Sequence, residues 1–216
     1  MKIGVLGTGM VGSTIASKLC ALGHEVTMGS RAAGNEAARA WAESGGPNAS
    51  EGSFSDAAAF GSLVFNCTSG MHSLDALEAA GTANLAGKVL VDVANPLDFS
   101  QGRPPTLSVC NTDSLGEQIQ RAFPETSVVK ALNTMNCLVM VDPARVPGEH
   151  DVFICGNDGS AKVQVGTLLE SFGWPSERIV DLGDITAARG TEMYLLFWLR
   201  LRGTVQSGDF NIKLVR

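Results

Sequence analysis

Lys2-Ile3-Gly4-Val5-Leu6-Gly7-Thr8-Gly9-Met10-Val11-Gly12 is the stretch whose reading decides the fold. Lys2–Leu6 is a short apolar run that stops at Gly7. Met10–Leu22 then carries Val11, Ile15, Leu19 and Leu22 at helical spacing and ends at Gly23, the residue type that closes helices most easily. His24–Met28 predicts a second strand. Strand, glycine turn, helix and strand in this order make one βαβ unit.

In that setting the glycines have separable tasks. Gly7 makes the tight turn, Gly9 lets a ligand approach the backbone, and Gly12 lets helix and strand pack closely. The amides of Thr8, Gly9, Met10 and Val11, at the positive end of a helix, suit a pyrophosphate. The turn is therefore read as a dinucleotide site. A dinucleotide whose adenosine ribose carries free hydroxyls calls for Asp or Glu at the end of the second strand. The chain has Gly29-Ser30-Arg31 there instead. Arg31 can pair with a 2′-phosphate and Ser30 can hydrogen-bond to it, so the expectation is NADP, not NAD. Asn35 and Arg39 are further candidates for the same pocket.

The alternation continues outward. Helices are expected at Glu36–Ala42, at Ser55–Phe60 with Ser55 as cap, and at Ser73–Ala80, Ser114–Phe123 and Ser160–Phe172. Strands are expected at Gly52–Phe54, Leu63–Cys67, Lys88–Val93, Ser127–Leu132, His150–Cys155 and Arg178–Leu182. Leu97–Cys110 reads as an irregular excursion, and Ala187–Arg202 as a long amphipathic helix before a tail, Asp209–Arg216. This pattern predicts an α/β fold of Rossmann type, with a doubly wound, mostly parallel sheet and a small C-terminal helical cap. The expected division is 1–185 for the nucleotide-binding domain and 186–216 for the cap.

In such sheets ligands lie beyond the carboxyl ends of the strands, near the switch in strand order. Three loops end strands on that edge: Thr68-Ser69-Gly70, Val93-Ala94-Asn95-Pro96-Leu97 and Asn133-Thr134-Met135-Asn136. Their convergence is where a nicotinamide is expected. Lys130, inside a strand, is expected to snorkel, and His72 to be a solvated loop residue. No G-x-S-x-G, paired His/Asp constellation or P-loop lysine is present, so no catalytic side chain is assigned. Hydride exchange between two rings needs alignment and exclusion of water more than acid–base groups.

Composition removes other classes. Asp and Glu outnumber Lys and Arg 22 to 16 with no basic run, against nucleic-acid binding. No apolar run approaches the roughly 20 residues of a membrane span, and the N-terminus lacks signal-peptide anatomy. The five cysteines and three histidines lack ligand spacing, so neither a disulfide framework nor a metal site is expected. Cys67 and Cys155 read as small buried hydrophobes. A reduced, cytoplasmic protein follows.

The sequence also resembles the coenzyme F420-dependent NADP oxidoreductases over nearly its whole length. The resemblance is carried by Met1–Gly9, by Leu22-Gly23-His24-Glu25-Val26 leading to Gly29-Ser30-Arg31, by Val128–Thr134, by Val152–Asp158 and by Phe210-Asn211-Ile212-Lys213. It implies hydride exchange between NADP(H) and coenzyme F420, with Thr8–Val11 on the pyrophosphate and Ser30 and Arg31 on the 2′-phosphate. It further implies Ser69, Met71, Ser73, Asn95 and Met135 on the nicotinamide side and Phe210 at the deazaflavin. A lysine common in the phosphate pocket of that family is replaced here by Asn35 or Glu36. A similar domain serves metalloreductases that use ordinary flavin (FMN or FAD), so the expected partner is F420 or a flavin. The other readings are an imine reductase of the pyrroline-5-carboxylate type and an NADP(H)-binding regulator without turnover. The last helix aligns Met193, Leu196, Phe197 and Leu201, with Tyr194 and Trp198 beside them. That stripe is expected to cover the sheet edge and to contact a second subunit in a homodimer. Gly203 and Gly208 would let the tail bring Phe210 back towards the nicotinamide.

Overall fold

The computed structural model describes residues 1–215; Arg216, the last residue of the expected tail, lies outside the described residues. The first unit is β1 (Lys2–Leu6), α1 (Met10–Ala21), β2 (Glu25–Ser30), α2 (Glu36–Ser44), β3 (Ala49–Ser53) and α3 (Phe54–Phe60). There follow β4 (Leu63–Asn66), α4 (Ser73–Ala80), α5 (Thr82–Leu85) and β5 (Val89–Asp92). The excursion after β5 contains a two-stranded antiparallel ribbon, β6 (Leu97–Asp98) and β7 (Thr106–Leu107). The chain then forms α6 (Leu115–Ala122), β8 (Ser127–Ala131), α7 (Cys137–Val141), β9 (Val152–Gly156), α8 (Gly159–Phe172), β10 (Ile179–Asp181) and α9 (Ala188–Val205).

Eight strands form one sheet in the order β10-β9-β8-β5-β4-β1-β2-β3. All neighbours are parallel except β8 and β9, so this is the mostly parallel, doubly wound sheet expected. Strand order reverses between β1 and β4, and that is where the edge loops open into a crevice. Central strands are apolar on both faces, as strands covered by helices on either side must be. Ile3, Val5, Leu63, Phe65 and Val129 face α1, α7 and α8, whereas Leu6, Val64, Leu90 and Val128 face α3, α4 and α6.

Several local expectations need correction. Ser53, not Ser55, caps α3: its hydroxyl accepts from the Asp56 amide while the Asp56 carboxylate accepts from the Ser53 amide. This reciprocal box moves the helix start back to Phe54 and makes Ala49–Ser53 the strand. The five-residue run Cys137–Val141 is a helix capped by the Asn136 side chain. Lys130 does not snorkel, because its whole side chain is buried. On α9 the inward face is Ala188, Thr191, Glu192, Leu195 and Trp198, while Met193 and Phe197 are exposed. Among the described residues no helix is long and apolar enough to cross a membrane.

Candidate functional site

The turn after β1 is built by forced choices. Gly7 has φ +118, a left-handed conformation, and its amide donates to Gly29 O across to β2 at 2.9 Å. A Cβ there would sit 2.6 Å from the Cys67 carbonyl oxygen, and one on Gly12 would collide with the Gly7 carbonyl. Gly9 differs: its φ and ψ of −75 and −178 suit any residue, yet a Cβ would project into open space. Gly9 is the N-cap of α1, and no side chain caps that helix. The first-turn amides therefore face the crevice with their donors and the positive end of the helix available to an anion.

Two clefts meet at the sheet edge. The larger, about 970 Å³, runs from Gly7, Thr8 and Gly9 to Ser30 and Arg31 on one side and to Thr68, Ser69, His72 and Asp75 on the other. Phe54, Ala76 and Ala79 give it an apolar end. The smaller, about 360 Å³, lies beyond Met10 and Val11 and is walled by Asn95, Asn133, Met135 and, from α9, Leu195, Trp198 and Arg202. Cys67, Thr68 and Ser69 belong to both.

Arg31 is exposed, and none of the ion pairs among the described residues involves it. Beside it, Glu51 accepts the Gly34 amide through both oxygens at 3.1 and 3.0 Å and so pins the Ala32–Gly34 turn. Ser30 is buried and its hydroxyl donates to Ala32 O at 2.6 Å, which leaves the oxygen as an acceptor. Asn35 uses its side-chain oxygen to cap α2.

In the smaller cleft Asn95 and Asn133 hold each other: the Asn95 amide donates to Asn133 O at 2.9 Å, and the Asn133 amide to Asn95 Oδ1 at 3.0 Å. Asn133 Oδ1 and Trp198 Nε1 are buried without a partner among the described residues. An orphan acceptor and an orphan donor in the walls of one cleft fit an amide-bearing or heteroaromatic ring. Burial and the nearby Asp92 carboxylate push the Cys67 thiol far up, so it stays protonated at the junction.

Not every expected residue lines a cleft. Gly12 lies beneath the turn, Pro96 is buried in its loop, and Met71 is exposed outside both. Ser73 is fully buried and supports Thr68 through a 2.9 Å hydroxyl contact. Phe210 stacks on Trp198 with centroids 5.4 Å apart, one layer behind the cleft wall. The contributions of Trp198, Leu195 and Arg202 were not anticipated. The signal available was Glu192 on the same helical stripe as Leu195, a carboxylate where the apolar face should be. Among the described residues no three His, Cys, Asp or Glu side chains come together as a metal site.

The model of the family of coenzyme F420-dependent NADP oxidoreductases matches residues 2–96. The crystal structure of a candidate F420-dependent NADP-reductase from Arthrobacter sp. FB24 is similar over 100% of both chains, with TM-score 0.94 and 54% identity. Metalloreductase STEAP3 of Rattus norvegicus is 28% identical over 192 residues, 88% of this chain and 36% of its own. The F420-dependent NADP reductase of Methanocaldococcus jannaschii is 30% identical over 106 residues, 49% of this chain and 46% of its own. The chain thus spans less than half the length of these two curated relatives.

Proposed function

This chain belongs to the coenzyme F420-dependent NADP oxidoreductase family, whose members are NADP-dependent oxidoreductases, and from that premise we propose that it passes a hydride between NADP(H) and a deazaflavin or flavin-like acceptor. The observation that carries the reading is the junction of two unlike clefts at Thr68 and Ser69, one anion-binding in character and one apolar with orphan amide and indole groups. The open space at Gly9, the uncapped α1 and the unpaired Arg31 fit NADP, and the smaller cleft fits a flat ring. Bound there, the two rings supply the redox chemistry, coenzyme F420, FMN and FAD being the acceptor candidates.

The chain's own residues bind and orient. The amides of Thr8 to Val11 hold the pyrophosphate, and Arg31 pairs with the 2′-phosphate while the Ser30 hydroxyl turns from Ala32 O to donate to it. Thr68, Ser69, Asn95, Asn133 and Met135 fix the nicotinamide, with Asn133 Oδ1 accepting from its carboxamide. Leu195 and Trp198, backed by Phe210, exclude water and give the acceptor ring a surface, so that the reacting carbons are held at near-attack distance. No side chain is assigned an acid–base role. The C-terminal segment that starts at residue 186 acts, through α9, as the cap over the smaller cleft. A homodimer in the cytoplasm, with the exposed Met193 and Phe197 at its interface, belongs to the same reading.

The test is NADPH oxidation followed with F420, FMN and FAD in turn, alongside the affinities for NADPH and NADH. Oxidation by at least one acceptor well above the protein-free rate is expected. No acceleration with any acceptor, despite tight NADPH binding, would instead favour a regulator without turnover.

A further inference from the structure

Three adjacent strands end in the same pattern on the same face. Val64, Leu90 and Val128 are each followed two residues later by a polar side chain, Asn66, Asp92 and Lys130, and the sheet register sets these three side by side. All are 0 or 1% exposed. The Asn66 amide donates to Asp92 Oδ1 at 2.9 Å, and Asp92 Oδ2 accepts from Lys130 Nζ at 2.8 Å. The same ammonium reaches Glu192 Oε1 at 2.8 Å and the Ala94 carbonyl at 2.5 Å, so its three protons are all placed. Burial disfavours the ammonium, but the Asp92 and Glu192 carboxylates outweigh it and hold the Lys130 pKa above its ordinary value. Glu192 completes the cluster by accepting the Leu115 and Gly116 amides at the start of α6, at 2.9 and 3.0 Å.

The row has two ends, and each belongs to a different wall of the smaller cleft. At one end Asn66 Oδ1 accepts from the Thr68 hydroxyl at 2.7 Å, and Asp92 and Lys130 hold the amide and carbonyl of Ala94, next to Asn95. At the other, Glu192 lies on α9 and precedes Leu195 and Trp198 on the buried stripe. We infer that Asn66, Asp92, Lys130 and Glu192 form a positioning relay that sets the width of the smaller cleft. Ordinary core packing would serve stability equally well, and a buried ion cluster is costly to desolvate. What the cluster adds is directional: each charge has one arrangement of partners, so helix and loops are held in a single register.

The inference rests on the proposed reaction for its kinetic readout only. Glu192→Gln keeps the shape of the side chain but turns one acceptor into a donor, which faces Lys130 or an α6 amide whichever way the new amide lies. Where Glu192→Gln fails to fold, Glu192→Asp, which keeps the charge, is read the same way. With the acceptor that the wild type uses, kcat/KM is expected to fall about tenfold or more, while the Kd for NADPH, measured without acceptor, changes by less than about twofold. Amide exchange gives a second readout that needs no turnover. Residues 90–97 and 188–202 should exchange faster together, with residues 4–20 unchanged. A parallel loss of NADPH affinity and turnover, or faster exchange confined to α6 and α9, overturns the relay. A wild type that does not oxidise NADPH with any of F420, FMN and FAD overturns the proposed reaction and leaves the exchange result to decide the relay.

Discussion

A methyl group added at Gly9 points into the open cleft, whereas the same group at Gly12 meets the Gly7 carbonyl oxygen. Gly9→Ala is therefore expected to fold with wild-type stability and to lose most of its nucleotide affinity. Gly12→Ala is expected to cost about 1–3 kcal/mol of stability, the usual range for overpacking. Denaturant unfolding and NADPH titration of both variants check the pair, and equal destabilisation by the two would contradict the geometry. Arg31 gives a second contrast. A charge-assisted contact is worth roughly 1.5–3 kcal/mol, so Arg31→Ala should weaken NADPH about tenfold to a hundredfold. NADH should be nearly unaffected, and equal losses for the two cofactors would remove Arg31 from the phosphate site. These positions were legible in the sequence because everything that defines them is local: a turn, a helix start and a strand end within 31 residues.

Elements were legible where a cap or an alternating pattern marked them, and less so where tertiary contacts decided. Asp158 is a clear case of a cap. Its carboxylate accepts from the Ala161 amide at 3.0 Å and from the Ser160 and Ser127 hydroxyls, tying the start of α8 to the start of β8. These hydrogen bonds, that of Ser160 foremost, hold its pKa down to about 2. A carboxyl depressed on folding adds stability above its unfolded value, roughly 3.9, and loses that contribution as pH falls through the folded one. Wild type should therefore exceed Asp158→Leu in melting temperature by a constant margin above about pH 5, and the margin should shrink steadily towards pH 2. A margin independent of pH would show that the ionised cap is not what holds the helix. The short run Cys137–Val141 illustrates the opposite limit, since five apolar residues have no period that separates helix from strand. Its assignment came from the Asn136 cap and from packing on α1 and α8. The antiparallel direction of β9 is likewise a property of the connection before it, not of its own residues.

Over the whole molecule, the far wall of the smaller cleft was the least legible part. It forms because the last helix returns over the sheet and plants Glu192 on a lysine 62 positions earlier, an event with no local signature. The same helix turns Phe197, 58% exposed, and Met193, 43% exposed, outward. Light scattering should give a dimer for the wild type and a monomer for Phe197→Glu, because a charge in an apolar contact must be desolvated. A monomeric wild type would leave the patch without the proposed partner. The tail is more firmly attached than a flap would be. Asp209 pairs with Arg145, the Asn211 amide donates to Asp151 O, and the buried Asp151 carboxylate accepts the Leu214 amide. Phe210→Ala is accordingly a cleaner probe of the stack on Trp198 than removal of the segment, which would leave the Asp151 carboxylate with Arg178 but without the Leu214 amide.

The shared wall of Cys67, Thr68 and Ser69 also bears on the order of events in turnover. In the proposed reading NADP(H) lies along the larger cleft and reaches past these residues to meet the acceptor ring in the smaller one, so neither ligand has to leave before the other binds. Catalysis should then proceed through a ternary complex, and double-reciprocal plots of initial rate against one substrate at several fixed levels of the other should intersect. Parallel lines would mean that the first product departs before the second substrate arrives, and would overturn direct transfer between two rings bound together.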